Sequence, residues 1–225
     1  MPYAASAPSV DGFKKVSFWR EGNVGIVVIL SPGVIDNSLM DEMIKIFSIA
    51  AVDDNVTSII LTGSNYVFSK GISPPESRKY ADLRDYFKRV EGLVLFLMSL
   101  EKPVFSAING VAVNNGVSLA LLADVVFYSD NTKITLNGEE PPILLGSITL
   151  PSKLNVQSGS PVPEGIKVTG ENAMEDVLKQ VKQIQSIPYH MKRRAAMQNV
   201  ESVILREEIG FFDFYLWCEG CRSEK

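Results

Sequence analysis

The stretch that decides the fold is Leu100–Ile134, LEKPVFSAINGVAVNNGVSLALLADVVFYSDNTKI. Lys102-Pro103 ends any helix before it, because proline cannot continue the hydrogen-bond ladder and restricts the residue it follows. Val104–Ile108 is then a short apolar run of the kind found in strands covered on both faces. Asn114-Asn115-Gly116 interrupts the apolar pattern. An apolar helical stretch, VSLALLAD, follows it, and then two strand-like runs, DVVFYS and KITL. Strand, polar turn, buried helix and strand again is the repeating unit of an α/β layer fold.

Working outward, Lys14–Leu30 (KKVSFWREGNVGIVVIL) reads as a hairpin about Glu21-Gly22-Asn23. Asn37 or Ser38 is the expected cap of a helix in which Leu39, Met43, Phe47 and Ala50 recur at helical spacing. Ser58–Gly63 and the run from Tyr66 are short strands, the second leading into a proline-broken loop. From about Tyr80 a helix carries Leu83, Phe87, Val90, Val94 and Leu97 on one face. Ser152–Gly165 reads as loop. From Glu171 the chain turns helical, with Met174, Val177, Leu178, Val181 and Ile184 in register. The expected organisation is an α/β core over 1–150, joined by right-handed crossovers, and a C-terminal helical region over 166–225 that packs on the core or on a neighbouring subunit.

The apolar share of 46% and the charged share of 21% are those of an ordinary globular protein. A net charge of −4 gives no footprint for nucleic acid or for an anionic membrane surface. No window reaches the roughly 18 to 20 apolar residues of a membrane span, and the first residues lack a secretory pattern, so the cytoplasm is the expected location. Cys218 and Cys221 form one CxxC, and His190 is the single histidine, too few ligands for a four-coordinate zinc site. No metal is expected.

The Asn-Asn-Gly turn invites two readings. Asparagine is a favoured helix cap, which would make Asn114 or Asn115 structural. Alternatively, strand-to-helix turns at the carboxyl ends of strands present unpaired backbone N–H groups to ligands. A second such turn, Ser69-Lys70-Gly71-Ile72, lies upstream. Donors from separate loops meeting at one oxygen make the geometry that stabilises a developing oxyanion.

Three runs carry a family resemblance: Asn23–Phe47 (NVGIVVILSPGVIDNSLMDEMIKIF), Val52–Ser73 (VDDNVTSIILTGSNYVFSKGIS) and the opening stretch. They are similar to the crotonase superfamily, the enoyl-CoA hydratases and isomerases, over about residues 14–146 and more loosely over 171–220. The resemblance implies a (ββα)n spiral core with a C-terminal helical appendage. It also implies work on acyl-CoA thioesters in fatty-acid metabolism, coenzyme A arriving as part of the substrate with no permanently bound cofactor, and a homotrimer or a dimer of trimers. It sets the two oxyanion N–H donors on Ile72 and Asn115, the latter in place of the middle glycine of a Gly-Gly-Gly turn. Lys70, Gly71, Arg78 and Lys79 fall where coenzyme A would be cradled, with Lys192-Arg193-Arg194 a further basic cluster.

The chain departs from the hydratase pattern at both glutamates. Ser118 stands at the first, and a serine hydroxyl is no general base at neutral pH without a partner. Pro142, within Pro141–Gly146, stands at the second, although a shift of two or three residues would bring Glu139 or Glu140 there. Ser73 replaces the aspartate after the first oxyanion loop. Hydration uses two carboxylates to place a water and deliver a proton, whereas moving a double bond needs one. A chain with one candidate carboxylate, Glu139 or Glu140, therefore fits an isomerase-type proton shuttle better than a hydratase. A solvated acidic turn is the plainer account of that pair. The alternatives are a degenerate acyl-CoA-binding paralogue and an assembly subunit without ligand.

Overall fold

A computed structural model of the chain describes residues 12–155, 161–169, 173–184 and 200–217. β1 (Val16–Glu21) and β2 (Val24–Ile29) form the expected hairpin, Val16 opposite Ile29 and Glu21 opposite Val24. β3 (Val34–Ile35) leads to α1 (Asn37–Val52). The cap of α1 is Asp36, one residue before the expected asparagine. Its carboxylate accepts from the Leu39 N–H at 2.8 Å, the three-residue reach that satisfies an orphan donor of the first turn.

The chain then makes three turns of a spiral. β4 (Ser58–Gly63), β5 (Val67–Ser69) and β6 (Gly71–Ile72) precede α2 (Tyr80–Ser99). β7 (Val104–Ile108) and β8 (Val111–Val113) precede α3 (Asn115–Leu121). β9 (Val125–Tyr128) and β10 (Lys133–Thr135) precede α4 (Gly146–Lys153). The first strand of each turn joins a six-stranded sheet of order β1-β2-β4-β7-β9 and then Ile166–Lys167, and the second joins a small parallel sheet, β10-β8-β5. Leu154–Asn155 (β11) and Val162–Pro163 (β12) pair with each other. β13 (Ile166–Lys167) runs parallel to β9, so the segment expected to begin the helical region first adds an edge strand to the core sheet. β8 also lies within a run read as one strand and a turn. Gly110 makes that corner: a Cβ there would fall 1.9 Å from the Tyr66 carbonyl oxygen, so only glycine allows the close approach.

The main sheet is buried on both faces, which is why β2 and β4 read as continuous apolar runs. Alternate residues point opposite ways. Val27, Ile29, Ile59 and Leu61 pack with α1 and α2, through Met43, Phe47, Leu83 and Phe87. Val24, Ile26, Val28 and Ile60 pack with Met174, Val177, Leu178 and Val181 of α5 (Ala173–Ile184). The expected helical register of that segment is thus its buried face. α6 (Val200–Phe212) returns to the first layer, where Phe211 stacks on Tyr86 with ring centroids 5.8 Å apart. Among the described residues no helix is long and apolar enough to cross a membrane.

Candidate active site

The first wall is the β5–β6 turn. The Ser69 hydroxyl donates to the Gly33 carbonyl at 2.7 Å and the Lys70 N–H reaches the same oxygen at 3.1 Å. Pairing of β6 with β3 (Ile35 opposite Ile72) fixes the next two residues. Gly71 has φ +92°, a left-handed backbone that an L side chain rarely adopts. With the turn so held, the Ile72 N–H points inward.

The second wall is Asn114-Asn115-Gly116. Asn114 occupies the cap position of α3 at φ 43° and ψ −113°, yet its side chain makes no capping bond. Both asparagine side chains instead reach across to residues 137–143. The Asn114 amide and Asn137 exchange hydrogen bonds, Asn114 Oδ1 accepting from the Asn137 N–H at 3.0 Å. Asn115, 1% exposed, donates from Nδ2 to the Pro141 carbonyl at 2.9 Å and accepts from the Ile143 N–H at 2.8 Å. The capping explanation of these asparagines gives way to one in which they strap down a loop. Gly116 lets the two walls meet, since a Cβ there would lie 2.7 Å from Ser69 Cβ.

That loop delivers Glu140 between the walls. Its Oε1 accepts from the Ile72 N–H at 3.1 Å, and its Oε2 accepts from the Asn115 N–H at 3.4 Å and from Asn115 Nδ2 at 2.9 Å. A Cβ on Gly71 would stand 2.3 Å from Oε1, so the carboxylate occupies room that a side chain at 71 would take. Burial pushes the Glu140 carboxyl above the ordinary carboxylate range; the Asn115 amide and the two N–H donors oppose that shift, and the neighbouring Glu139 charge adds to it. Glu139 itself points to solvent and accepts from Asn137 Nδ2 at 2.7 Å. Of the two candidate carboxylates, the fold brings Glu140 to the amides and leaves Glu139 outside.

Below Glu140, Leu144 and Leu145 both adopt left-handed backbone, at φ 56° and 57°, an uncommon and strained state for leucine. Glu207 of α6, 4% exposed, accepts from the N–H groups of Leu145 at 3.0 Å and Ser147 at 2.8 Å. Burial raises its carboxyl above the usual range as well, with these donors acting against the shift. Sequence reasoning missed Glu207, because one glutamate in a helix carries no local sign of a partner sixty residues away. Ser118 is fully buried under Gly146, and its hydroxyl has no hydrogen-bond partner among the described residues. Pro142 and Ser73 are exposed.

The cations expected around coenzyme A are less concentrated. Lys70 and Lys79 are exposed, and the Arg78 guanidinium lies 4.6 Å from the Tyr215 ring centroid and donates to the Pro75 carbonyl at 3.2 Å. Lys192, Arg193, Arg194, His190, Cys218 and Cys221 lie outside the described residues. Among the described residues no three His, Cys, Asp or Glu side chains cluster as metal ligands would.

A family profile described as enoyl-CoA hydratase/isomerase matches residues 22–150, more than half of the chain and the whole of both walls. The chain belongs to the enoyl-CoA hydratase/isomerase family. It is similar to mitochondrial enoyl-CoA hydratase of Pongo abelii, with 26% identity over 132 residues, 57% of this chain and 44% of that one. It is also similar to mitochondrial enoyl-CoA delta isomerase 1 of Rattus norvegicus, with 32% identity over 142 residues, 60% of this chain and 48% of that one. The chain thus spans under half the length of these curated relatives. The crystal structure of enoyl-CoA hydratase from Bacillus halodurans superposes with a TM-score of 0.75 at 15% identity, over 92% of this chain and 97% of that one, a likeness of fold. The family match and this superposition agree with the spiral core that the resemblance implies.

Proposed function

We propose that this member of the enoyl-CoA hydratase/isomerase family binds an acyl-CoA thioester with its carbonyl oxygen between the Ile72 and Asn115 N–H groups, and stabilises the enolate formed when an α-proton leaves. What supports this is that main-chain donors from two separate turns already hold a carboxylate, an oxygen anion of similar charge and donor demand. Glu140 is the carboxylate at hand to take up and return the proton once the thioester lies in its place. With Ser118 at one glutamate position of the family pattern and Pro142 at the other, one carboxylate serves double-bond isomerisation better than addition of water. Lys70, Arg78 and Lys79 would meet the phosphates of coenzyme A. The expected setting is a cytoplasmic homotrimer or dimer of trimers.

Incubating the protein with crotonyl-CoA in heavy water tests the chemistry. Deuterium exchange or double-bond migration, with little 3-hydroxyacyl product, is the expected result; hydration as the main outcome would refute the preference, and no chemistry would refute the enzyme reading. A second reading, an acyl-CoA-binding paralogue without turnover, is favoured by the fact that Glu140 itself fills the space between the donors. It is distinguished by thioester affinity in calorimetry without any exchange.

A further inference from the structure

We propose that residues 137–143 are a latch: Glu140 is the built-in occupant of the oxyanion site, Asn115 is the clasp that holds it there, and an acyl-CoA thioester binds by displacing it. The inference rests on the thioester reading above and adds a regulating element to the same site.

Four observations carry it. Both donors that a thioester oxygen would need are engaged by the two oxygens of one side chain, so Glu140 and a thioester cannot use them together. The Asn115 side chain gives the loop three bonds, to Glu140, Pro141 and Ile143, whereas a glycine at 115 would keep the main-chain donor and lose all three. Asn114 secures the far end of the same loop through Asn137. Gly71 leaves the carboxylate its space. The loop is therefore tied down by side chains from the very turn whose backbone forms the site. Release of Glu140 and exposure of the donors are one event.

The consequence is quantitative. When the binding-competent state is a minor one, apparent affinity is reduced by the fraction of molecules in that state. Charge-assisted hydrogen bonds hold the closed state, opposed by the burial of the carboxylate. A closed-to-open ratio on the order of ten or more follows from bonds of this kind. Deleting the occupant should therefore raise thioester affinity about tenfold. Free coenzyme A, which has no carbonyl to place between the amides, should gain nothing.

The experiment is calorimetric titration of the wild-type protein, Glu140→Ala and Asn115→Gly with butyryl-CoA, a saturated thioester that has no double bond to hydrate or move, and with free coenzyme A. The expected result is tighter butyryl-CoA binding by both variants, about tenfold for Glu140→Ala, with coenzyme A affinity unchanged. Near-ultraviolet circular dichroism confirms that each variant is folded, and either folded variant suffices. Equal or weaker butyryl-CoA binding by the variants, alongside measurable wild-type binding, overturns the latch and leaves the thioester reading standing. A parallel gain for coenzyme A also overturns it, because a wider pocket would then be the cause. No butyryl-CoA binding by any of the three proteins overturns the thioester reading and the latch with it.

Discussion

Truncating Glu207 to alanine should cost the fold about 3 kcal/mol. The carboxylate accepts from Leu145 N–H at 3.0 Å and Ser147 N–H at 2.8 Å, and at 4% exposure water has little access to replace it. Each orphaned buried donor costs about 1–3 kcal/mol, giving roughly 2–6 kcal/mol for the pair. Against this, removing a buried carboxylate recovers part of its desolvation, which brings the expectation to the lower half of that range. The turn it braces holds two consecutive left-handed leucines, a conformation that persists only while its surroundings enforce it. For a chain of this size the loss corresponds to a melting temperature lower by roughly 6–12 °C. Glu207→Gln keeps one acceptor and should fall between. Urea unfolding at neutral pH with matched slopes measures the difference. A loss under about 1 kcal/mol, or a glutamine variant no better than alanine, would refute the brace and leave the strained turn to be explained by packing alone.

Glu140 predicts a pH dependence of binding. Its carboxyl is raised by burial and, less, by the neighbouring Glu139 charge, while the Tyr86 phenol, pushed well above its ordinary range mainly by burial, feels the Glu140 charge in turn. Protonation turns a charged acceptor into a neutral one, so as pH falls through that raised value the closed latch weakens and butyryl-CoA affinity should increase. Glu140→Ala should lack this component, and identical pH profiles for the two proteins would disprove it. The Ser106 hydroxyl is buried, without a partner among the described residues, beside a cavity of about 10 Å³ lined by Phe47, Leu61 and Leu119. Ser106→Ala should therefore be neutral or stabilising by up to about 1 kcal/mol in thermal melts, and a clear loss would reveal a hidden partner. Asp36→Ala removes the α1 cap and should cost about 1 kcal/mol by urea unfolding; no change would mean that packing alone sets the start of the helix.

Much of this architecture is written in local pattern. The double-sided burial of Val24–Ile29 and Ser58–Gly63 produces apolar runs that cannot be mistaken for amphipathic strands, and the faces of α2 and α5 repeat at helical spacing. The cap of α1 is Asp36 rather than Asn37 or Ser38, because aspartate, asparagine and serine compete for the same role at adjacent positions. β13 was illegible, since two residues between turns carry no period and owe their extended form to β9 alone. At the site, the inward turns of Ile72 and Asn115 could be placed by resemblance. The destination of the Asn115 side chain could not, because hydrogen bonds to Pro141 and Ile143 depend on a loop whose path no local rule sets. Glu139 and Glu140 look alike in sequence. The tethering of Asn137 by Asn114, which also leaves Glu139 bonded to Asn137, and the bonds from Asn115 to Glu140, Pro141 and Ile143 together turn Glu140 in.

The serine at 118 and the latch belong together. Ser118 lies on the first turns of α3, and a Cβ on Gly146 would already stand 2.5 Å from its hydroxyl oxygen. A glutamate there, where the family resemblance sets one, would add a charged group of three heavy atoms to a position that is 0% exposed. The loop from Pro141 to Gly146 could not then lie where Asn115 holds it. Conversely, with that loop lying over α3, a small residue at 118 is the sterically permitted choice, and its hydroxyl is left without a hydrogen-bond partner among the described residues. A carboxylate on the helix at 118 and the loop that carries Glu140 would thus compete for one space. Introducing the first by Ser118→Glu should expel the second. The variant should lose stability if the loop stays, or bind butyryl-CoA more tightly if the loop leaves. An unchanged protein on both counts would show that 118 and 140 do not compete for the same space.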